Sequence, residues 1–356
     1  MAMQNKSELP VVSIMIATFN SSKLLKRTLE AIRNQTYPQD KLEILIMDGC
    51  STDNTLEIAE EFGCKILINK KTDPNNAKII GYKNATGDYL MTIDHDEVLT
   101  NVRTIEHRVN ALIENPNCKA ALGSGYLRPS DFSKLSQYIS DFGDPFSLFI
   151  YRFPKCFGYL EKTLRKNYRV EEYNTYMIVD FKSSNKQALF EVECASGMID
   201  LHYFRKLVGE ELSTRTEGQL FYLMLEDNHT KVIVMKHDPL AHYSSDTIMA
   251  YYPKIKWRIC NNIHFKDVTS SGFSGRIKFQ KNIKYKSLLF VPYTISTIIP
   301  FLHGVCLALS RRNSIYLMHV IFCWYVLIQI IWQYTLKITG HKPKPKSYDG
   351  KKTIDE

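Results

Sequence analysis

The eight cysteines of this 356-residue chain (50, 64, 118, 156, 194, 260, 306 and 323) form no C-x-x-C pair and follow no regular spacing. Nothing in them marks a disulfide framework, and reduced thiols on the cytoplasmic side are the expectation. No secretory leader is expected either: residues 1–10 are polar, and the first apolar run, Val11–Ala17, is short and lacks a basic lead-in. There is no internal repeat and no glycine-rich phosphate loop, which counts against a soluble nucleotidyltransferase. Acid is scarce at one end only. Residues 251–356 hold 4 Asp/Glu against 17 Lys/Arg, a net of +13, whereas residues 1–250 hold 33 against 29, a net of −4. The overall charge of +9 therefore belongs to the C-terminal third and needs a local cause.

Two stretches in that third lack charge altogether, Ser287–Leu309 and Ser314–Leu336. Each reaches the roughly 20 residues that cross a bilayer as a helix. Pro292 and Pro300 interrupt the first, so a kink or entry into one leaflet is expected there. Arg276, Lys278, Lys281, Lys284 and Lys286 precede the pair, and Lys337, Lys342, Lys344 and Lys346 follow it. Positive flanks at both ends place both on the cytoplasmic side. Arg311 and Arg312 in the connecting loop suit a shallow re-entrant hairpin; a buried hairpin of a soluble core is the alternative. Residues 251–286 interleave Tyr251, Tyr252, Trp257, Phe265, Phe273 and Phe279 with basic residues, a mixture expected at headgroup depth. Nucleic acid ranks below a membrane as the partner, because the adjacent apolar segments already account for the charge. The Lys- and Pro-rich tail, 338–356, reads as disordered.

The first hundred residues alternate strand and helix signals. Val11–Ala17 is a continuous apolar run, as in a strand buried on both faces. Asn20 or Ser21 caps a helix through about Gln35, with Leu25, Leu29 and Ile32 on one stripe. Glu43–Met47 is the second strand, and Ser51 or Thr52 opens a helix through Phe62, before Gly63. Lys65–Ile68, a helix over Asn75–Ala85 and a fourth strand, Tyr89–Ile93, follow. A helix over Thr104–Asn115, strands at Ala120–Tyr126, Glu191–Ile199 and Lys231–Met235, and a helix over Glu217–Asp227 complete the readable part. Residues 130–180 are aromatic, with Pro145 and Pro154, and resist assignment; the basic run Lys162–Arg169 reads as a solvated face. Strands separated by helices imply a parallel sheet with right-handed crossovers, whose ligands bind at the strands' carboxyl ends. Thr18, Asp48 and Asp94 all fall at such ends.

Asp94-His95-Asp96 closes the fourth of these runs. If the chain stays extended, the two carboxylates project to one side and can grip a divalent cation with the phosphates it carries. Alone the D-x-D pattern is weak, and the converging strand ends give it context.

Together these residues resemble the family 2 glycosyltransferases of GT-A fold. The matching motifs are V-V-S-I-M-I-A-T-F-N (Val11–Asn20), Q-T-Y-P (Gln35–Pro38), E-I-L-I-M-D-G-C-S-T-D-N-T (Glu43–Thr55), A-T-G-D-Y-L (Ala85–Leu90) and D-H-D. They span about residues 10–125, with a weaker echo from Gly197 to Tyr243. The resemblance implies an α/β fold: a Rossmann-like, mostly parallel sheet flanked by helices over residues 1–250. An interfacial segment at 251–286 and two hydrophobic membrane helices within 287–337 would follow it.

The resemblance also implies roles. Thr18, Asn20 and Asp48 would hold the base of a nucleotide sugar, UDP-linked, and Lys78 would lie near its base and phosphates. A carboxylate such as Asp48 can accept from a ring N–H. Asp94 would face ribose and metal, Asp96 the metal (Mg2+ or Mn2+), and His242 would be a third ligand. The alternatives are that Asp48 opens a turn and that Lys78 is a surface lysine. The family often has a second acid where Gly49 stands, which leaves the base open. Its catalytic base comes from an acidic pair opening a late helix; here Glu217, 25 residues before His242, is followed by Gly218 rather than an acid. Either Glu217 deprotonates an acceptor hydroxyl, or the acceptor needs no base, as a polyprenyl phosphate would not. Only Arg128 follows Gly123-Ser124-Gly125 where phosphate-acceptor enzymes carry several arginines, which favours a hydroxyl of a lipid-linked or membrane-bound glycan. A catalytically inactive membrane scaffold is the alternative from another class.

Overall fold

Seven residues, Val12–Thr18, form strand β1, and their mainly apolar character matches burial on both faces. In this computed structural model, residues 9–184, 196–209, 220–265, 277, 280, 282–341 and 343–344 are described. After β1 come helix α1 (Ser22–Arg33), β2 (Leu42–Asp48), α2 (Thr55–Glu61), β3 (Lys65–Ile68), α3 (Pro74–Asn84) and β4 (Tyr89–Thr92). Then follow β5 (Glu97–Leu99), α4 (Thr104–Glu114), β6 (Ala120–Leu122), β7 (Tyr126–Leu127), α5 (Lys134–Phe142), α6 (Pro145–Tyr151) and α7 (Leu160–Asn167). Strands β8 (Arg169–Glu172), β9 (Tyr176–Asp180) and β10 (Met198–Asp200) precede α8 (Leu201–Val208) and α9 (Leu220–Glu226). The chain continues through β11 (Lys231–Met235), β12 (Leu240–His242), α10 (Ile248–His264), α11 (Ile283–Leu288), α12 (Phe290–Ile295) and α13 (Ile298–Arg311). A 3-10 turn, Ser314–Met318, leads into α14 (His319–Ile338).

Two compact units divide these elements. The first comprises described residues of 9–127, 157–184, 196–209 and 220–242. It holds a nine-stranded sheet of order β3-β2-β1-β4-β10-β6-β11-β9-β8. Strands β3, β2, β1 and β4 are mutually parallel. Leu25, Leu29 and Ile32 of α1 are fully buried in the core that this sheet builds. The α/β, GT-A-type arrangement expected from the motifs is present, with antiparallel strands joining the parallel set. β10 runs antiparallel to both β4 and β6, and β9 to both β11 and β8. β8 and β9 are joined by a short turn, which permits only antiparallel pairing. A small second sheet orders β5-β12-β7, with His242 opposite Glu97.

The A-T-G-D motif has a packing role at the start of β4. A Cβ on Gly87 would stand 2.7 Å from the Val11 carbonyl oxygen and 2.8 Å from the Ser13 nitrogen. Only glycine lets these backbones approach so closely. Asp88 Oδ2 accepts from the Val11 N–H at 2.8 Å beside it.

The second unit comprises residues 128–156, 243–265 and the described part of 277–344. Residues 128–156, the first part of the stretch that resisted assignment, group with the C-terminal segments, whereas the sequence reading placed them in a catalytic domain of residues 1–250. Tyr251, expected at headgroup depth, is 1% exposed and packs edge-on against Phe322. Helical spacing puts Tyr251 and Ile255 on one stripe facing inward, so this part of the expected interfacial segment is core. Of the expected pair of hydrophobic helices, the first is broken, as its prolines suggested. One element, Ser314–Ile338, is long and apolar enough to cross a bilayer, whereas Ile283–Ile295 and Ile298–Arg311 meet at a 94° bend. The break has a local cause. Pro300 has no N–H to offer the Ser296 carbonyl, which instead accepts from Ile298, and Thr297 turns into the left-handed region at φ 53°.

Candidate active site

The parallel register sets Thr18 beside Asp48 at the carboxyl ends of β1 and β2. Thr18 Oγ1 donates to Asp48 Oδ1 at 3.0 Å, and Asp48 is fully buried. Its carboxylate also accepts from Ser51 N–H (2.8 Å) and Ser51 Oγ (2.5 Å), the pattern of an aspartate closing a turn. Asn20, in the left-handed region at φ 49°, ties the two loops together. Its N–H donates to Ser51 Oγ at 2.8 Å and its Oδ1 accepts from Thr52 N–H at 2.9 Å. Helix α2 therefore starts later than expected, with Asn54 as its N-cap residue, because Ser51 and Thr52 are engaged in this loop. Lys78 is half-buried on α3, where its charge and that of Lys71 act on Asp73, the residue capping the helix.

The D-H-D segment is not extended. β4 ends at Thr92, and the chain turns: Asp94 N–H donates to Glu97 Oε2 at 3.0 Å, and Glu97 N–H returns to the Asp94 carbonyl at 3.0 Å. Thr28 Oγ1 on α1 bridges the carbonyls of His95 and Glu97 at 3.0 and 2.8 Å, fixing the turn from outside. Strand alternation thus does not govern the two aspartates. Asp94 is exposed, while Asp96 faces His242, with Oδ2 3.7 Å from Nε2 and both side chains about one-seventh exposed.

His242 arrives from β12, its ring 4.9 Å from that of Tyr126. Below them lies Glu97, 3% exposed and hydrogen-bonded to Tyr126. Burial pushes its carboxyl well above the usual range, and the charges of Asp94 and Asp96 push the same way. Glu97 and Tyr126 were not picked out from the sequence. The available signal was a third acid running directly from D-H-D into the apolar Val98-Leu99.

Of the three predicted metal ligands, the structure brings two together. Among the described residues no three His, Cys, Asp or Glu side chains are disposed to hold a cation. The Asp96–His242 pair nevertheless suits one: an oxygen and an imidazole nitrogen 3.7 Å apart can share an ion with bonds of about 2.1 Å. Glu217 lies outside the described residues.

A buried network braces this end of the unit. Arg108 Nη2 donates to Asp238 Oδ2 at 2.8 Å, with both side chains nearly inaccessible, and Nη1 reaches Ser196 Oγ at 2.9 Å. Ser124 Oγ accepts from Asp238 N–H at 2.9 Å, and Thr104 Oγ1 donates to Asp238 Oδ1. One arginine thus ties G-S-G after β6, the turn before β10 and the loop leading to His242.

Comparison with known proteins bears on the family. Residues 13–187 match the model of glycosyl transferase family 2. The poly(ribitol-phosphate) beta-N-acetylglucosaminyltransferase TarS of Staphylococcus aureus is 24% identical over 298 residues, covering 78% of this chain and 48% of the relative. A dolichyl N-acetyl-alpha-D-glucosaminyl phosphate 3-beta-D-2,3-diacetamido-2,3-dideoxy-beta-D-glucuronosyltransferase of Methanococcus voltae is 36% identical over 108 residues, 27% of this chain and 34% of that protein. The chain thus spans a third to a half of the length of these curated relatives. Among solved structures, a mannosyltransferase from Pyrobaculum calidifontis in complex with GDP-Man and Mn2+ superposes with a TM-score of 0.49 at 12% identity, over 92% of this chain and 89% of the other. Residues 13–187 thus form a glycosyl transferase family 2 domain.

Proposed function

We propose that the protein is a membrane-associated inverting glycosyltransferase that moves a sugar from a nucleotide sugar, UDP-linked, to a hydroxyl of a lipid-linked or membrane-bound glycan. The observation carrying this reading is the Asp96–His242 pair standing 3.7 Å apart in the unit whose strand ends carry Thr18 and Asp48. Asp96 and His242 would hold a divalent cation, Mg2+ or Mn2+, which when bound offsets charge on a departing diphosphate. Asp94, exposed two residues earlier, is free of burial and would face the ribose or the cation. With only two protein ligands facing each other, phosphate oxygens of the donor would complete the set. Cation and nucleotide then bind together.

Thr18 and Asn20 hold the loops against which the base would lie. Asp48 accepts three protein hydrogen bonds already, so it positions those loops and has at most one lone pair left for a base N–H. Lys78 would sit near the phosphates. Glu217 would take the proton of the acceptor hydroxyl as its oxygen attacks C1. The acceptor named for the Methanococcus relative, a dolichyl-linked sugar phosphate, supports a sugar hydroxyl here rather than a bare lipid phosphate. The cytoplasmic face of a membrane is the proposed location.

Transfer from a panel of nucleotide sugars to a lipid-linked sugar, with and without Mn2+, tests the proposal. Metal-dependent transfer is expected, with mild acid releasing the new sugar still joined to the acceptor's own sugar as an oligosaccharide. Release of the transferred sugar alone, as a monosaccharide, would assign the acceptor to the phosphate class, and absence of turnover with every donor would favour a non-catalytic scaffold.

A further inference from the structure

We propose that the second unit docks into a single leaflet of an anionic bilayer with its apolar helices lying in the interface, and that none of them crosses. The inference deepens the membrane association proposed above by fixing its topology. Four observations within the unit carry it.

Apolar exposure is concentrated there. Among the described residues, seventeen of the twenty-three large apolar side chains left exposed lie between Tyr285 and Ile338, including Ile298 at 69% and Ile338 at 84%. A contiguous sequence segment so coated in water-facing apolar groups needs an apolar partner. Exposed cations accompany it: Lys256, Lys284 and Arg312. Together with the net charge of +13 over residues 251–356, they complement an anionic lipid surface.

α14 has the length and composition of a spanning helix, but its neighbour does not. Tyr252 of α10 stacks on Tyr325 of α14 at 4.1 Å, and the Tyr325 hydroxyl donates to the Tyr252 carbonyl at 3.2 Å. Eleven residues further along α10, the Ile263 carbonyl accepts from Lys337 Nζ at 2.9 Å, twelve residues further along α14. Equal advance on both means that the helices run side by side in the same direction for about 17 Å. Between those two contacts α10 carries Lys254, Lys256 and Arg258. A crossing α14 would carry these three cations into hydrocarbon, where charged side chains are strongly disfavoured.

The connection between α13 and α14 is tied down as well. Arg311 Nε donates to the fully buried carboxylate of Asp141 on α5 at 2.8 Å, and the Tyr316 hydroxyl donates to the same oxygen at 2.9 Å. Asn313 Nδ2 donates to the Lys134 carbonyl (3.1 Å) and to Gln137 Oε1 (2.7 Å). This connection could not stand at the far side of a bilayer while bonded to α5, which starts with exposed Lys134. Finally, the 94° bend leaves neither limb of 283–311 long enough to span.

Impermeant-maleimide labelling of the full chain decides the topology. Arg312→Cys and Thr339→Cys, one at each end of α14, would be produced in cells and examined in sealed inverted membrane vesicles, with labelled peptides quantified by mass spectrometry. Both positions are expected to label from the outer, cytoplasmic-derived face to a similar extent without detergent. Labelling of one position only, with the other requiring detergent, would mean that α14 crosses and would overturn the inference while leaving membrane association intact. Full-length protein that neither sediments with these vesicles nor floats with phosphatidylglycerol liposomes would overturn both the docking and the membrane part of the proposed function. In that case a self-association of the apolar face should show by light scattering. Transfer activity is read separately and is untouched by either outcome.

Discussion

Each of the two units contains a buried arginine–aspartate pair at 2.8 Å, and the surroundings of the two pairs differ. In the first unit Arg108 and Asp238 are embedded in a network with Thr104, Ser124 and Ser196, and the unit's apolar side chains are enclosed by the sheet and its helices. In the second, Asp141 keeps one oxygen without a partner among the described residues, and burial raises its carboxyl above the usual range despite Arg311. That unit buries Asp141, His319 and Gln333 while exposing Ile298, Ile328 and Ile338. A region that hides polar groups and presents apolar ones is built for two solvents, whereas the first unit is built for water.

Removing the buried cations should separate the two units most sharply. Arg108→Ala strands Asp238 and should cost roughly 3–5 kcal/mol in the first unit. Arg311→Ala should cost a similar amount in the second, partly recovered in lipid, so its loss measured in buffer should shrink when liposomes are present. Equal losses in both media would erase the contrast drawn between the units. Asp96→Ala should lower transfer by about 10²–10³-fold with the melting curve and vesicle recovery unchanged. Undiminished turnover would remove the metal-site reading.

On the apolar face, Ile298→Asp with Leu302→Asp should weaken liposome flotation by about tenfold or more while far-UV circular dichroism stays the same. An unchanged flotation profile would move the docking surface elsewhere.

Two pH effects are smaller and confined to the first unit. The Glu97 carboxyl is raised above its ordinary 4.5, so the folded protein binds a proton that the unfolded chain releases. Stability contributed there is present in acid and falls as pH rises from about 5 through the raised pKa. Glu97→Gln should flatten the fall in melting temperature as pH rises above about 5. Glu172 behaves oppositely: hydrogen bonds from Arg165 and Lys236 bring it down to about 2. Its contribution is present above about pH 4.5 and is lost as pH falls toward about 2, and because the side chain is nearly half exposed, Glu172→Gln should cost below about 1 kcal/mol.

Strands β1 to β4 were legible because each encodes its own environment, whereas β8 and β9 lie in the stretch that resisted assignment. Val12–Ala17 is apolar apart from Ser13 because both faces are covered, and Asp48 could be placed at a strand end from its neighbours alone. The geometry of D-H-D was not legible, since Thr28, nearly seventy positions upstream, holds the turn that replaces an extended strand. Glu97 went unnoticed for a related reason: an acid becomes a buried partner only once Tyr126 and β12 close over it. The stretch after Leu127 resisted assignment because α5 and α6 are defined by partners far along the chain. Asp141 meets Arg311 at a separation of 170 residues, which no local periodicity reports.

The central claim is that Asp96 and His242 form half of a cation site that the donor's diphosphate completes. Thermal stabilisation of the full chain by UDP, by Mn2+ and by both tests it most directly. Wild type should gain appreciably only with both present, with the gain abolished in Asp96→Ala and reduced in His242→Ala. Equal stabilisation by UDP without any divalent cation, or retention of the full gain in Asp96→Ala, would contradict it.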